Sequence, residues 1–360
     1  MLEGKLAELD AILRQAVAAA YAARPAYDTE CGFKYELFHQ MAERPLDGAP
    51  LAQRVPGTPT CQLHGEAKPQ NGNAFKADLL VCDPRHRMEF NYAPVVVIEL
   101  KKALCRKDLK AELERYETYR PAPRALYLVS ANDKALTQAE IDGWLTSNGR
   151  TDVTVLTRDN IAATPAPAPS QPAPEVDAAR TAQTIEECIR DTLQLYGRGR
   201  QQYHGFFWCN YELEQDRGWT FPSEGDFNCH LYHGLRSRLP ATVEVSAEVK
   251  PSGLNKRVDL FITCQSRVQS FTIEVKMNWD QFRYEGVREV GNILHKFTHC
   301  TTSPNTAYLV VIQGEDGHKS NHKERALKAF RAAPMPMHLL MYDERNEKPV
   351  CQILGRGAQP

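Results

Sequence analysis

The chain has 360 residues, 42% of them apolar and 25% charged, with a net charge of −1. This length suits two domains that each bury a core, and the near-neutral charge counts against a non-specific nucleic-acid coat protein, which carries a strong basic excess. Ten cysteines without a C-x-x-C pair argue against a disulfide framework or zinc knuckle, and no uninterrupted apolar run approaches the roughly 20 residues that span a bilayer.

Residues 1–22 open the chain with Leu2, Leu6, Leu9, Ile12, Leu13 and Val17 at helical spacing. Glu3, Glu8 and Asp10 interrupt that segment, so it is not a secretory leader, and with free thiols the chain reads as cytoplasmic. Thr29 is a natural N-cap for a second helix that buries Phe33 and Leu37. Strands are predicted over 61–67, 77–83 and 94–100, followed by a helix over 102–119, a strand over 125–130, a further helical segment and a last strand over 153–157. The third strand is β-branched, as a buried central strand should be. On the helix predicted after it, Lys102, Arg106 and Lys110 fall at i, i+4 with Lys107 beside them. Such a stripe is either a solvated face or a track for phosphates. Residues 162–179, AATPAPAPSQPAPEVDAA, alternate Pro and Ala and predict an extended polyproline spacer. The division expected is a first domain over 1–161, a linker over 162–179 and a second domain over 180–360.

The second half runs in the same order. Ile185, Cys188, Ile189 and Leu193 have helical spacing, and Ser223 caps a helix with Phe227 and Leu231 on its buried side. Strands follow over 242–249, 257–263 and 270–275, then a helix over 279–299, a strand over 307–312, a helical segment and a strand over 337–342. Between its first two helices this half inserts YHGFFWCNYELEQDRGW, where Tyr203, Phe206, Phe207, Trp208, Tyr211 and Trp219, with Phe221 nearby, form a packed subdomain or a stacking surface for unpaired bases.

The order is shared because the sequence repeats. TECGFKYELFHQ aligns without a gap on SEGDFNCHLYHG, setting Glu30 on Glu224, Phe33 on Phe227, Leu37 on Leu231, Phe38 on Tyr232 and His39 on His233. GEAKP with Glu66 recurs as AEVKP with Glu248, Lys76-Ala77-Asp78-Leu79 as Arg257-Val258-Asp259-Leu260, and Val97-Ile98-Glu99-Leu100-Lys101 as Thr272-Ile273-Glu274-Val275-Lys276. This is an internal duplication, and the charged set kept in both copies is Glu, Asp, Glu, Lys.

That set has a definite chemistry. Residues i and i+2 of a strand share a face, so Glu99 lies with Lys101 and Glu274 with Lys276. With Asp78 or Asp259 on the neighbouring strand, each copy gathers two carboxylates and an ammonium. The carboxylates repel, and a hard divalent ion such as Mg²⁺ or Mn²⁺ relieves the repulsion, holds a phosphate and acidifies a bound water. The lysine can orient or deprotonate that water and offset the charge of a phosphorane-like transition state. Glu30 and Glu224 could add a third carboxylate; Glu36 is a rival in the first copy, but its counterpart is His230. Glu66 and Glu248 read as ion pairs fixing the first strand, and His39 and His233 as satisfied helical histidines or neighbours of the site. His295 and His299 stand at i, i+4 without a carboxylate partner in sequence, which argues against a zinc pair. After the second Glu-x-Lys, Met277, Asn278 and Trp279 replace the basic run, and the cations thin to Arg283, Arg288 and Lys296.

The layout resembles the PD-(D/E)XK nuclease superfamily, the restriction-endonuclease-like fold. An Asp followed by Glu-x-Lys arises readily by chance; two in register, each closing an apolar strand after the same helix, do not. The resemblance implies two tandem α/β domains, each a mixed central sheet flanked by helices in α-β-β-β-α-β order. It implies a Mg²⁺- or Mn²⁺-dependent endonuclease hydrolysing phosphodiester bonds, with Asp78, Glu99, Asp259 and Glu274 as metal ligands, Lys101 and Lys276 as catalytic lysines, and Glu30 and Glu224 as acids of the first core helix. Ala77 and Val258 stand where the family's motif has Pro. The nucleic-acid contacts expected are Lys102, Arg106, Lys107 and Lys110, with DNA favoured over RNA and genome maintenance or phage defence as the setting. Two alternatives stay open at this point: an RNA nuclease, and a nucleic-acid-binding or assembly protein with one or both sites inactive. A protein partner or homo-oligomer is also compatible with the residues.

Overall fold

In a computed structural model, the protein is described over residues 2–24, 26–46, 48–52, 62–67, 77–88, 91–117, 123–132, 136–150, 152–161, 177–202, 224–250, 257–264, 269–278, 286–299, 305–313, 320–343 and 346–355. Most of the Pro/Ala spacer, the aromatic insertion, the Ser223 cap, Trp279 and Arg283 lie outside these residues. The chain forms two compact units, one drawn from Met1–Pro169 with Gln202–His233, the other from Ser170–Gln201 with Gly234–Pro360. Each unit contains an α/β domain with a mixed central sheet flanked by helices.

Unit 1 begins with α1 (Leu2–Ala23) and α2 (Glu30–Ala42), followed by two short paired strands, β1 (Pro45–Leu46) and β2 (Ala49–Pro50). Thr29 caps α2 as its sequence predicts: its hydroxyl accepts the Gly32 N–H at 2.9 Å. The main sheet runs β3 (Gln62–Ala67), β4 (Ala77–Met88), β5 (Asn91–Lys101), β6 (Ala125–Ser130) and β7 (Val153–Leu156), in that spatial order. The first three strands are antiparallel, and β5, β6 and β7 are parallel. Between the parallel strands pass α3 (Arg106–Tyr116) and α4 (Gln138–Ser147). Leu80, Val97, Leu126 and Leu128 pack against Leu109 and Leu113 of α3 and Ile141 and Leu145 of α4. Strand alternation turns Tyr127 to the opposite face, where its hydroxyl donates to Asp10 of α1 at 3.0 Å.

Unit 2 is built in the same order. α5 (Ala178–Gln202) and α6 (Glu224–Arg238) precede β8 (Val243–Val249), β9 (Val258–Cys264), β10 (Ser270–Asn278), α7 (Gly286–His299), β11 (Asn305–Gln313), α8 (Ser320–Arg331), β12 (Met337–Asp343) and β13 (Lys348–Leu354). The sheet order β13-β12-β11-β10-β9-β8 repeats the five-strand order of unit 1 and adds β13 as an antiparallel edge. Val290, Ile293 and Phe297 of α7 and Phe330 of α8 cover Leu309, Val311, Leu339 and Met341.

The α6 helix is divided between the units: Glu224–His233 groups with unit 1 and Gly234–Arg238 with unit 2. Within unit 1 its first part lies beside α2. The Tyr232 hydroxyl donates to Glu36 at 2.7 Å, the Phe38 ring meets His230 edge-on at 5.0 Å, and the Nδ1 atoms of His39 and His233 are 3.0 Å apart. The Gly65 N–H of β3 donates to Asp226 at 2.5 Å, and a Cβ at Gly65 would meet Cys229 Sγ at 2.5 Å. Only glycine lets β3 approach α6 this closely.

Three expectations need correction. The helix after the first Glu-x-Lys begins at Arg106 rather than at 102, because Asp108 reaches back to accept the Cys105 N–H at 3.2 Å and caps it there. Lys102 therefore stands in the turn before α3 and is not part of a helical stripe. Strand β13 is absent from the sequence reading. Among the described residues no helix is long and apolar enough to cross a membrane.

Candidate active site

The antiparallel pairing of β4 with β5 builds the first site. Leu79 pairs with Ile98, so one step further along the ladder Asp78 stands opposite Glu99. The second sheet repeats this: Leu260 pairs with Ile273, and Asp259 stands opposite Glu274. Each aspartate is fixed by the strand it faces. Asp78 Oδ2 accepts the Leu100 N–H at 2.9 Å, and Asp259 Oδ2 accepts the Val275 N–H at 2.6 Å.

In unit 1 the charges converge. Glu99 is 2% exposed, and its carboxyl is held well above the ordinary range by burial and by the neighbouring Asp78 and Glu112, against the pull of Lys101 and Arg115. Glu30, at the start of α2, is raised by burial and by Asp78, while Lys101, the Lys102 N–H and Lys34 act in the opposite sense. Asp78, Glu99, Lys101 and Glu30 thus share one electrostatic neighbourhood. Lys101 Nζ is 3.0 Å from Glu112 Oε1 on α3, and Arg115 NH1 lies 3.1 Å from Glu112 and 3.7 Å from Glu99. Burial works against the Lys101 ammonium, but Glu112, then Glu30 and Asp78, raise it above its ordinary value.

Unit 2 keeps the residues and changes the pairing. Glu274 is fully buried; Lys276 Nζ reaches its Oε1 at 3.1 Å, and Lys296 of α7 makes a short contact to the same oxygen. Lys276 also lies 4.0 Å from Glu289 of α7. Glu274 Oε2 is buried and has no hydrogen-bond partner among the described residues. Glu224 is half-buried at the head of α6, in the part that groups with unit 1.

The remaining candidates divide. Glu36 is buried and bonded to Tyr232 and Gln40. Its counterpart His230 packs on Phe38. His39 and His233 meet each other. The Glu66 side chain lies outside the described residues, and Glu248 sits at a left-handed φ of 52° at the end of β8. Lys102, Arg106, Lys107 and Lys110 are exposed, Arg106 lying 3.7 Å from Glu140 and Lys110 3.8 Å from Glu114.

The sequence alone assigned no role to Glu112, Arg115 or Glu289 and showed Lys296 only as one of a thinning set of cations; each copy carries a glutamate and then a cation on the helix after Glu-x-Lys, at different distances from the motif. Sequence reasoning also missed a cluster of metal-ligating side chains in unit 2. Glu186, His338 and Cys351 each present a donor atom, all within 4.8 Å of one another. The Cys351 thiol, pushed up to about 12 by burial and by Glu186, is protonated and donates to that carboxylate.

No family model matches the chain. No curated protein matches it either. Among solved structures, it is similar to that of SfsA from Pyrococcus furiosus in complex with Ca²⁺, at 14% identity and a TM-score of 0.19 over 36% of this chain. The match spans 63% of that structure's length.

Unit 1 sets two carboxylates, of the ligand type that hard divalent cations take, opposite one another. Asp78 opposes a buried Glu99 whose ionisation the site resists, and a cation between them would reverse that resistance. In unit 2 the partnerless Oε2 of Glu274 offers a ligand atom, but two ammonium groups already neutralise the other oxygen.

Proposed function

We propose that the chain is a divalent-metal-dependent nuclease acting on DNA, with the site of unit 1 as the main catalytic centre. The observation that carries this reading is the placement of Asp78 opposite Glu99, with Lys101 on the face of Glu99 and Glu30 coupled to the same charges. Asp78 and Glu99 would hold the ion. Bound there, Mg²⁺ or Mn²⁺ supplies a water acidic enough to attack at neutral pH and charge to offset the phosphoryl oxygens.

The chain's own residues do the rest. Lys101, ion-paired to Glu112, is held as an ammonium, so it donates to the attacking water or a phosphate oxygen and does not serve as the base. Arg115 shares Glu112, which keeps that carboxylate from drawing Lys101 fully away from the cleft. Glu30, at the start of α2 and raised by burial and by Asp78, would take the water's proton. Lys102, the residue after Lys101, would position the phosphate backbone, with Arg106, Lys107 and Lys110, all exposed on α3.

One observation favours a second role for unit 2. With Glu274 already neutralised by Lys276 and Lys296, that site binds an ion more weakly and serves chiefly to grip nucleic acid. The test is nicking of supercoiled plasmid by the purified chain in Mn²⁺ and in Mg²⁺. Nicking that disappears in Asp78→Ala supports the proposal. Nicking that persists undiminished in Asp78→Ala, or none in either metal, refutes it.

A further inference from the structure

Unit 2 carries side-chain chemistry that the nuclease reading does not use. Strand β13 pairs Cys351 with Leu340, two residues along β12 from His338, so the thiol and the imidazole emerge on one face of the hairpin. Helix α5 brings Glu186 to that face: its Oε1 lies 3.3 Å from His338 Nδ1 and 3.2 Å from Cys351 Sγ. The Tyr308 ring, with its centroid 5.1 Å from that of His338, flanks the imidazole.

We propose that Glu186, His338 and Cys351 form a binding site for a borderline-soft divalent ion of the Zn²⁺ class. A tetrahedral Zn²⁺ with bonds of about 2.0–2.3 Å sets its ligand atoms roughly 3.3–3.6 Å apart. The Glu186–His338 edge at 3.3 Å matches this, the Glu186–Cys351 edge at 3.2 Å is slightly short of it, and the third atom pair lies within 4.8 Å, differences that side-chain rotation closes. Binding replaces the thiol proton, which leaves to solvent, so that thiolate and carboxylate together cancel the ion's charge while neutral His338 donates its Nδ1 lone pair and keeps its proton on Nε2. Arg190, one turn along α5, is directed at the Pro349 carbonyl at 3.4 Å. Sulfur and imidazole ligands select against Mg²⁺ and Mn²⁺, which separates this site from the carboxylate pairs. Three protein ligands at a half-buried position leave a fourth place for water.

Among the described residues the first copy holds no equivalent. Tyr127 pairs with Thr154 where Tyr308 pairs with His338, and Asp10 accepts the Tyr127 hydroxyl. The site therefore belongs to the second half alone and sits where β13 was added.

The full-length, metal-free chain titrated with Co²⁺ should develop thiolate-to-cobalt charge-transfer absorption that saturates at one equivalent. Cys351→Ser should abolish the band, and His338→Gln should weaken Co²⁺ binding at least about tenfold. Asp78→Asn combined with Asp259→Asn should leave the band intact, so failure here and failure of the nuclease reading are distinguishable. In the unmutated chain, saturating Zn²⁺ should slow iodoacetamide labelling of Cys351, mapped by peptide mass spectrometry, without altering that of Cys105. Absence of the band, its survival in Cys351→Ser, or Cys351 labelling indifferent to Zn²⁺ would overturn the proposal.

Discussion

Asp78 and Asp259 each give one carboxylate oxygen to a backbone N–H of the facing strand, which fixes the aspartate while its charge stays opposite a buried glutamate. Removing that charge deletes a ligand and the repulsion a cation would relieve. Asp78→Ala with Asp259→Ala should therefore lose the Mn²⁺ binding of the parent in calorimetric titration; unchanged affinity and stoichiometry would refute the carboxylate assignment. The histidine pair is a second residue-scale device. His233 Nε2 lies 2.9 Å from Glu43, so Nε2–H donates there and Nδ1 accepts from His39. Burial lowers the His233 value below its ordinary 6.5, with Glu43 opposing. A base whose folded value is depressed favours the fold while neutral, so this contribution is present above 6.5 and lost as pH falls through the folded value. Urea midpoints should accordingly drop on acidification below that range, and His233→Gln should flatten the drop. The kept charges Asp78, Glu99 and Lys101 were legible because duplication printed them twice, whereas Glu112 and Arg115 were not: their spacing from the motif differs from that of Glu289 and Lys296.

At the scale of elements, the N-cap of α2 matters because it starts the helix at Glu30. Thr29→Ala should cost about 1 kcal/mol of stability in urea unfolding, and Thr29→Ser should restore most of it. A loss confined to stability, with nicking intact, would show that Glu30 keeps its place without the cap. The β-branched central strands and the apolar runs of β6 and β11 were readable from composition. Strand β13 was not. It opens Lys348-Pro349, buries only Leu354 fully and leaves Ile353 51% exposed, so it shows no two-fold apolar pattern; Pro suits it as an edge strand. The Glu186, His338 and Cys351 cluster was equally hidden, since its ligands come from a helix and two strands far apart in sequence, with no short spacing to betray them.

For the whole molecule, the two sites should contribute unequally. Lys101 is tied to the helix carboxylate Glu112, whereas Lys276 is tied to its own motif glutamate. Lys101→Ala should depress plasmid nicking by roughly 10² to 10³ with Mn²⁺ binding largely retained. Lys276→Ala should reduce it less, or convert linearisation to nicking. A dead Lys276→Ala beside a fully active Lys101→Ala reverses the ranking.

The contact between α2 and the first part of α6 has a symmetry of its own. In the repeat, Glu36 corresponds to His230, Phe38 to Tyr232 and His39 to His233. The Glu36–Tyr232 and Phe38–His230 contacts therefore join corresponding pairs of positions, and the paired histidines are each other's counterparts. This is the self-complementary pattern that two copies of one chain make across a two-fold axis. A chain with a single repeat could form it only by pairing with itself; here covalent continuity supplies the partner, and each helix has been free to change its side of the bargain, as Glu36 and His230 have.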